Sequence, residues 1–206
     1  MIQIDGSMME GGGQLLRMAT SYSAILNEPI TVFNIRAKRR DPGLKPQHLT
    51  TLQTAAKITN ADTTGVELGS QEITFNPENI CGDDYKIDIG TAGSISLLLQ
   101  CINPILWFAD KSSTLSIKGG TAVNWSPTIP FLQQVVYKAF QSMGVNTSIN
   151  VKRHGFYPKG GGEITQKTQL VETLQPLSLK DPFVKRINGI SLCGALPSHI
   201  AIRQAN

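Results

Sequence analysis

The sequence predicts an α+β protein made of repeated β-α-β-α-β-β units, each a four-stranded sheet carrying two helices on one face. Three observations carry that prediction. Strand-like and helix-like segments alternate along the chain. The alternation recurs, because Gly12 and Gly93 stand 81 positions apart and so do Pro46 and Pro127. The 206 residues are 40% hydrophobic and 17% charged, too apolar and too lightly charged for disorder. A chain of this length buries about 70% of its extended surface, so one domain, or one and a fragment, is expected.

In the first unit Ile2-Gln3-Ile4 alternates and runs into a glycine-rich turn. Gln14 to Asn27 has apolar residues at helical spacing (Leu15, Met18, Ala19, Tyr22, Ile25, Leu26). Ile30 to Ile35 is β-branched and strand-like, and Asp41-Pro42-Gly43 marks a turn. A second helix starts near Pro46, and short strands follow around Thr64 to Glu67 and Glu72 to Phe75. The second unit repeats the order. Tyr85 to Ile89 is a strand, Gly90 to Gly93 a turn, and Ala92 to Ala109 a core helix with a bend or end near Pro104. Thr114 to Ile117 is a strand, a helix opens at Pro127, and Val145 to Val151 and Glu163 to Thr165 are strands around Gly160-Gly161-Gly162. The β-α-β starts need right-handed crossovers. One helical layer leaves a sheet face bare, so the units are expected to pack together. The 36 residues after residue 170 are too few for a third unit, and the chain reads as part of a larger architecture.

Several classes are excluded. Cys81, Cys101 and Cys193 are too widely spaced for a disulfide framework or a zinc site and read as reduced, mostly buried thiols of a cytoplasmic protein. The start MIQIDGSMMEGGG is not a signal peptide. The apolar run 92–109 is short and interrupted by Ser94, Ser96, Gln100, Asn103 and Pro104, so no membrane span is expected. The net charge of +4 does not itself indicate nucleic acid. Its distribution is more telling: Arg36, Lys38, Arg39, Arg40 and Lys45 cluster, interrupted only by Asp41.

Chemistry-bearing residues gather at the loops. Glu10-Gly11-Gly12-Gly13 joins a strand to a helix, where glycines admit a ligand and free N–H groups favour anions, or where tight packing alone requires them. Glu10 suits a phosphate cradle if a divalent metal bridges carboxylate and phosphate. The turn is neither a Walker motif nor GxGxxG. Gln14, Arg17 and Ser21 share a helical face opposite the apolar stripe, so Arg17 projects toward the loop's ligand or into solvent. Arg36 and Arg39 can grip phosphate oxygens, while Gln47 and His48 open the next helix in a binding or a structural role. Gln100, in the most apolar helix, reads as a buried amide that either ties down backbone or faces a pocket. Arg153 to Gly162 (RHGFYPKGGG) mixes aromatic, basic and glycine residues as a nucleotide-stacking loop or a rigid connection would. His199 has no assigned task.

Taken together, the segments IDGSMMEGGGQLLR, IRAKRRDPGLKPQHL, GTAGSISLLLQ, GGTAVNWSP and RHGFYPKGGGE resemble the RNA 3'-terminal phosphate cyclase family in order along almost the whole chain. The resemblance implies an enolpyruvyl transferase-like fold of three units with an inserted smaller domain. It places two units in 1–180 and the incomplete start of the inserted domain in 181–206, with the third unit absent from this chain. It implies a ligase that forms a phosphoric ester bond, using ATP and Mg2+ or Mn2+, and an RNA with a 3'-phosphate end as partner; it allows a homo-oligomer. In the family a histidine takes AMP from ATP, AMP passes to the RNA 3'-phosphate, and the ribose 2'-OH closes the 2',3'-cyclic end. By position, Glu10, Gly11, Gly12, Gly13 and Gln100 would hold ATP, with Glu10 toward the metal. Arg17, Arg36, Arg39, Gln47 and His48 would meet phosphates.

The departures are specific. The family's nucleophilic histidine is expected beyond residue 206, since His48, His154 and His199 do not stand in its motif, and the chain by itself is expected to be inactive. Met9 replaces a usual glycine, and Ala122 and Pro130 replace usual acids. These lend weight to a second reading, a non-catalytic cyclase-like protein that binds RNA or ribosomal particles. An enolpyruvyl transferase shares the fold but lacks the EGGGQ and RHGFYPKGGG segments.

Overall fold

The computed structural model describes residues 1–178 and 184–206. Its contacts divide the chain into two units, Met1–Gln175 and Pro176–Asn206. The boundary expected between 180 and 181 lies outside the described residues. The first unit runs β1 (Ile2–Asp5), α1 (Gly13–Leu26), β2 (Ile30–Phe33), α2 (Pro46–Thr59), β3 (Asp62–Thr64) and β4 (Ile73–Asn76). The same order follows as β5 (Asp84–Asp88), α3 (Ile95–Trp107), β6 (Ser113–Gly119), α4 (Ile129–Phe131), α5 (Tyr137–Ser142), β7 (Thr147–Arg153) and β8 (Gly162–Thr168). One π-helical turn (Leu132–Val136) joins α4 to α5.

These strands form two four-stranded mixed sheets, ordered β1-β2-β4-β3 and β5-β6-β8-β7. In each, the first pair is parallel and the other two are antiparallel. The parallel pairs require helical crossovers, supplied by α1 and α3, which brings the carboxyl ends of four parallel strands and the helix starts to related edges. The helices of the two halves pack on one another, α1 on α3 and α2 on α3, around a continuous core that includes Leu16, Leu52, Ile58, Leu98, Ile102, Val32, Phe75 and Ile117.

Several expectations are corrected. The face of α1 that buries is Leu16, Arg17, Thr20, Ser21, Ser23 and Ala24, whereas Tyr22 and Leu26 are exposed. Thr20, Ser21, Ser23 and Ala24 are small enough to let neighbouring helices approach closely, so the buried face is not the apolar stripe. The two halves do pack together, through their helices, and the other face of the second sheet is largely polar. Along β6 and β8, Leu115, Ile117, Ile164 and Gln166 face the helices, while Ser116, Lys118, Glu163 and Lys167 face outward. The third strand ends at Thr64, before Gly65 with its positive φ of 67°. Pro104 does not end α3, which continues to Trp107. The helix expected at Pro127 begins at Ile129, after Thr128 accepts the Phe131 N–H. Of the free thiols only Cys101 is buried, and burial pushes it up to about 12; Cys81 and Cys193 are half-buried.

The buried amides are not where the sequence put them. Asn103 Nδ2 donates to Tyr137 Oη (2.8 Å), Tyr137 Oη donates to Gln166 Oε1 (2.6 Å), and Gln166 Nε2 donates to Asn103 Oδ1 (2.6 Å). This closed triangle ties α3, α5 and β8 with every member paired. Within Pro176–Asn206, α6 (His199–Ala205) is fixed by Ser191 Oγ, which donates to Ala201 O (2.7 Å). Among the described residues no helix is long and apolar enough to cross a membrane.

Candidate phosphate-binding site

The loop from β1 to α1 is shaped by its backbone. Gly6 N–H donates to Phe33 O (2.7 Å), and Met9 and Gly11 take positive φ of 51° and 57°. A left-handed backbone favours glycine, so Met9 carries a conformation that side chains rarely adopt. Asp5 Oδ1 accepts from Ser7 N–H (2.9 Å), and this bond holds the Asp5 carboxyl below its usual range. Gly12 then caps α1 with no side-chain bond, and the first turn holds no acid. Its leading N–H groups therefore have no side-chain cap. The equivalent start of α3 differs, since Ser94 Oγ accepts the Leu97 N–H (3.2 Å).

Three nitrogen-bearing side chains converge on this open helix start. Arg39 Nη2 comes within 3.3 Å of where a Gly12 Cβ would stand. A Cβ on Gly13 would overlap His48 Nε2 and meet Arg17 Nη1 at 3.2 Å. Close approach of the His48 ring therefore requires the glycine at Gly13. His48 Nδ1 accepts the Lys45 N–H (3.2 Å), which assigns the ring proton to Nε2, toward Gly13. Burial, then the charges of Arg36, Arg17 and Lys45, lowers His48 to about 4, so it is neutral at physiological pH. Arg17 is buried, and its fork donates to Gln100 Oε1 from Nε (3.1 Å) and Nη2 (3.0 Å). Glu10 and Arg39 form an exposed ion pair at 3.6 Å, and Lys38 Nζ donates to Met9 O (3.4 Å).

The site residues read from the sequence are thus partly joined. Glu10, Gly12, Gly13, Arg17, Arg39, His48 and Gln100 form one chain of contacts. Gln47 belongs to an adjoining relay: its Oε1 accepts the Ser94 N–H (2.9 Å), Ser94 Oγ and Ser96 Oγ are 2.7 Å apart, and Ser96 donates to Pro127 O (2.6 Å). Arg36 turns away, donating through Nη1 to Asp41 O (2.7 Å) and Gly43 O (2.9 Å), so it braces its own loop. Gln100 is exposed, not buried; α3 is amphipathic there, and the amide borders an apolar cavity of about 340 Å³ with Met18, Leu97 and Phe140. Arg17 is likewise not a solvent arginine, because α3 covers it. Sequence reasoning missed the Lys45–His48 lock, for which an i to i+3 spacing across a helix start was the available signal.

Among the described residues no three metal-ligating side chains gather. Glu10, 91% exposed at its side chain, is the carboxylate at the turn. That donor set fits only a hard cation shared with ligand phosphates and water, a mode suited to Mg2+.

The family model described as RNA 3'-terminal phosphate cyclase matches residues 8–202. An RNA 3'-terminal phosphate cyclase of Methanosarcina barkeri is 49% identical over 209 aligned positions, covering 100% of this chain and 61% of that protein. The namesake proteins of Ignicoccus hospitalis and Pyrococcus furiosus are each 43% identical, with 100% of this chain covered and 58% and 60% of theirs. The chain therefore spans about three-fifths of the length of these curated relatives. An EPSP synthase from Acinetobacter baumannii aligns over 82% of this chain and 47% of its own with TM-score 0.38 and 8% identity, too distant to bear on fold or function. A match that takes in the glycine turn, the basic loop and the starts of α2 and α3 leaves one assignment: the chain belongs to the RNA 3'-terminal phosphate cyclase family.

Proposed function

We propose that this chain supplies the phosphate-binding part of an ATP-dependent enzyme that converts an RNA 3'-terminal phosphate into a 2',3'-cyclic phosphodiester. The reading includes an enolpyruvyl transferase-like architecture of three β-α-β-α-β-β units, two of which lie in this chain, with residues from 181 onward opening the smaller inserted domain. The observation that carries it is the uncapped start of α1, with Arg39, Arg17 and the neutral His48 directed at Gly12 and Gly13. Anions bind where free N–H groups, the helix dipole and cationic forks coincide.

In this reading ATP and RNA are substrates. A histidine beyond residue 206 attacks the α-phosphorus and pyrophosphate leaves. AMP then passes to the RNA 3'-phosphate, and the 2'-OH displaces AMP as the ring closes. The leading N–H groups of α1 and His48 Nε2–H donate to phosphate oxygens. Arg39 adds charge, and Gln100 fixes the Arg17 guanidinium behind the turn. Glu10 would hold Mg2+ or Mn2+ jointly with phosphate oxygens, and the ion would neutralise charge there.

The test is to incubate the protein with α-labelled ATP and metal and denature it, and in parallel to measure binding of a 3'-phosphorylated RNA. Acid-labile label on protein that contains the nucleophile supports the enzyme. RNA binding without label supports the second, non-catalytic reading. Substitution of Glu10 or Gln100 is expected to reduce labelling, and Arg39→Ala to weaken RNA binding more than labelling. Equal loss in all variants would overturn the assigned roles.

A further inference from the structure

A second surface lies at the carboxyl end of the second sheet. Two loops meet there, 120–128 after β6 and 154–161 between β7 and β8. Thr121 N–H donates to Gly155 O (2.8 Å), Gly155 N–H donates to Thr121 Oγ1 (3.0 Å), and Ala122 bridges to Phe156. Each loop lifts one large aromatic side chain into solvent: Trp125 is 98% exposed and Tyr157 is 71% exposed. The other tryptophan, Trp107, is 6% exposed and packs on Phe140. Neither loop contains an acidic residue. Lys159 is exposed and, among the described residues, has no ion-pair partner, while Arg153 closes its loop by donating to Gly161 O (2.8 Å) and pairing with Glu163.

Packing links the second of these loops to the phosphate-binding turn by way of residues 91–94 and Gln47. A Cβ on Gly160 would stand 2.7 Å from Ala92 Cα and 3.0 Å from Thr91 O, so the second loop lies directly on the turn before α3. That turn leads to Ser94, whose N–H is held by Gln47, the neighbour of His48. These contacts run from the loop of Tyr157 through residues 91–94 to Gln47 and His48, beside the start of α1. Exposed aromatics flanked by cations and free of acids take the faces of unpaired bases, whatever the base.

We infer that Trp125 and Tyr157 form a base-stacking platform for single-stranded RNA upstream of the two nucleotides at its 3'-phosphate end, with Lys159 meeting the backbone. The inference rests on the proposed phosphate site, and it makes the protein sensitive to RNA length but indifferent to sequence. Base stacking on one aromatic side chain is worth roughly tenfold in affinity.

The experiment titrates the protein with two 3'-phosphorylated RNAs, a dinucleotide and an octanucleotide, reading anisotropy and tryptophan emission. The octanucleotide is expected to quench emission and to bind roughly tenfold or more tighter than the dinucleotide. Trp125→Ala and Tyr157→Ala should each cost roughly tenfold for the octanucleotide and leave the dinucleotide unchanged. Trp125→Ala should also abolish quenching, because Trp107 is buried, and Trp125→Phe should restore most of the affinity. Octanucleotide binding that ignores both alanine variants, or that an abasic strand reproduces, overturns the platform, as does the absence of octanucleotide binding. Failure of the phosphate site looks different: affinity would then ignore the 3'-phosphate and Arg39→Ala while the aromatic variants still weakened binding.

Discussion

The two halves of Met1–Gln175 share strand order and pairing, yet their equivalent helix starts are opposites. In the first, α1 opens on Gly12-Gly13 with no cap, and Arg17, Arg39 and His48 crowd the backbone. In the second, α3 opens on Gly93-Ser94, and Ser94 caps its own helix. One start has no side-chain cap, and the other is closed by its own hydroxyl. The difference teaches that the scaffold does not confer binding. Binding comes from which backbone donors are left unspent and which charges surround them. The second half spends its chemistry differently, on a buried hydrogen-bonded triangle and on exposed aromatics.

The sharpest way to break this comparison is Gly13→Ala. Alanine is the better helix residue by about 1 kcal/mol, so an open site would gain stability. Overlap with His48 predicts the reverse: a lower melting temperature and a loss of roughly 100-fold or more in affinity for ATP or phosphorylated RNA, from displacement of the ring and its Nε2–H donor. Higher stability with affinity unchanged would remove the close approach on which the first half's distinction rests.

A second test uses pH. His48 has a folded-state pKa of about 4 against its ordinary 6.5. Between those values the unfolded chain takes up a proton that the folded chain refuses. Stability is therefore complete above about pH 6.5 and falls as pH drops toward 4, by on the order of 3 kcal/mol. Asp5, whose carboxyl lies below its ordinary 3.8, adds a loss only at lower pH. Denaturant titrations of the protein and of His48→Gln across this window measure the effect, and the variant should lose most of the slope. Equal slopes would place the titrating group elsewhere.

The second half has its own stability test. Tyr137→Phe keeps the ring but removes the hydroxyl that joins Asn103 to Gln166. Two buried amide atoms then lose a partner, at a cost of about 1–3 kcal/mol. Calorimetry should detect it, with phosphate affinity unchanged. A neutral result would mean that the triangle does not hold α3, α5 and β8 together.

What the sequence made legible follows the same division. Glycine turns, proline at the start of α2 and the repeated order of elements were readable because each depends on local backbone rules. The side chains that decide the site were less so. Periodicity identified a face bearing Arg17 and Ser21 but could not say that α3 covers it, so Arg17 was read toward solvent or ligand when it is buried against Gln100. The same blindness exchanged Gln100 for Asn103 and Gln166 as the buried amides. A repeat period of 3.6 gives direction around a helix; the partner on that side comes from chain topology 80 or more residues away, as in the Arg17–Gln100 pair with its separation of 83.

The smallest effect tests the comparison from its other side. Ser94→Gly gives α3 a start like that of α1. Glycine at a cap position costs only a few tenths of a kcal/mol, and loss of the Ser94–Ser96 contact raises the total to about 1 kcal/mol. Thermal melts can resolve this. The variant is expected to gain no second phosphate-binding site in equilibrium dialysis, since an uncapped helix start without an arginine fork or an imidazole at hydrogen-bonding distance supplies little beyond the dipole. A gained site would mean that free N–H groups suffice, and Arg39 and His48 would lose their place in the proposed phosphate site.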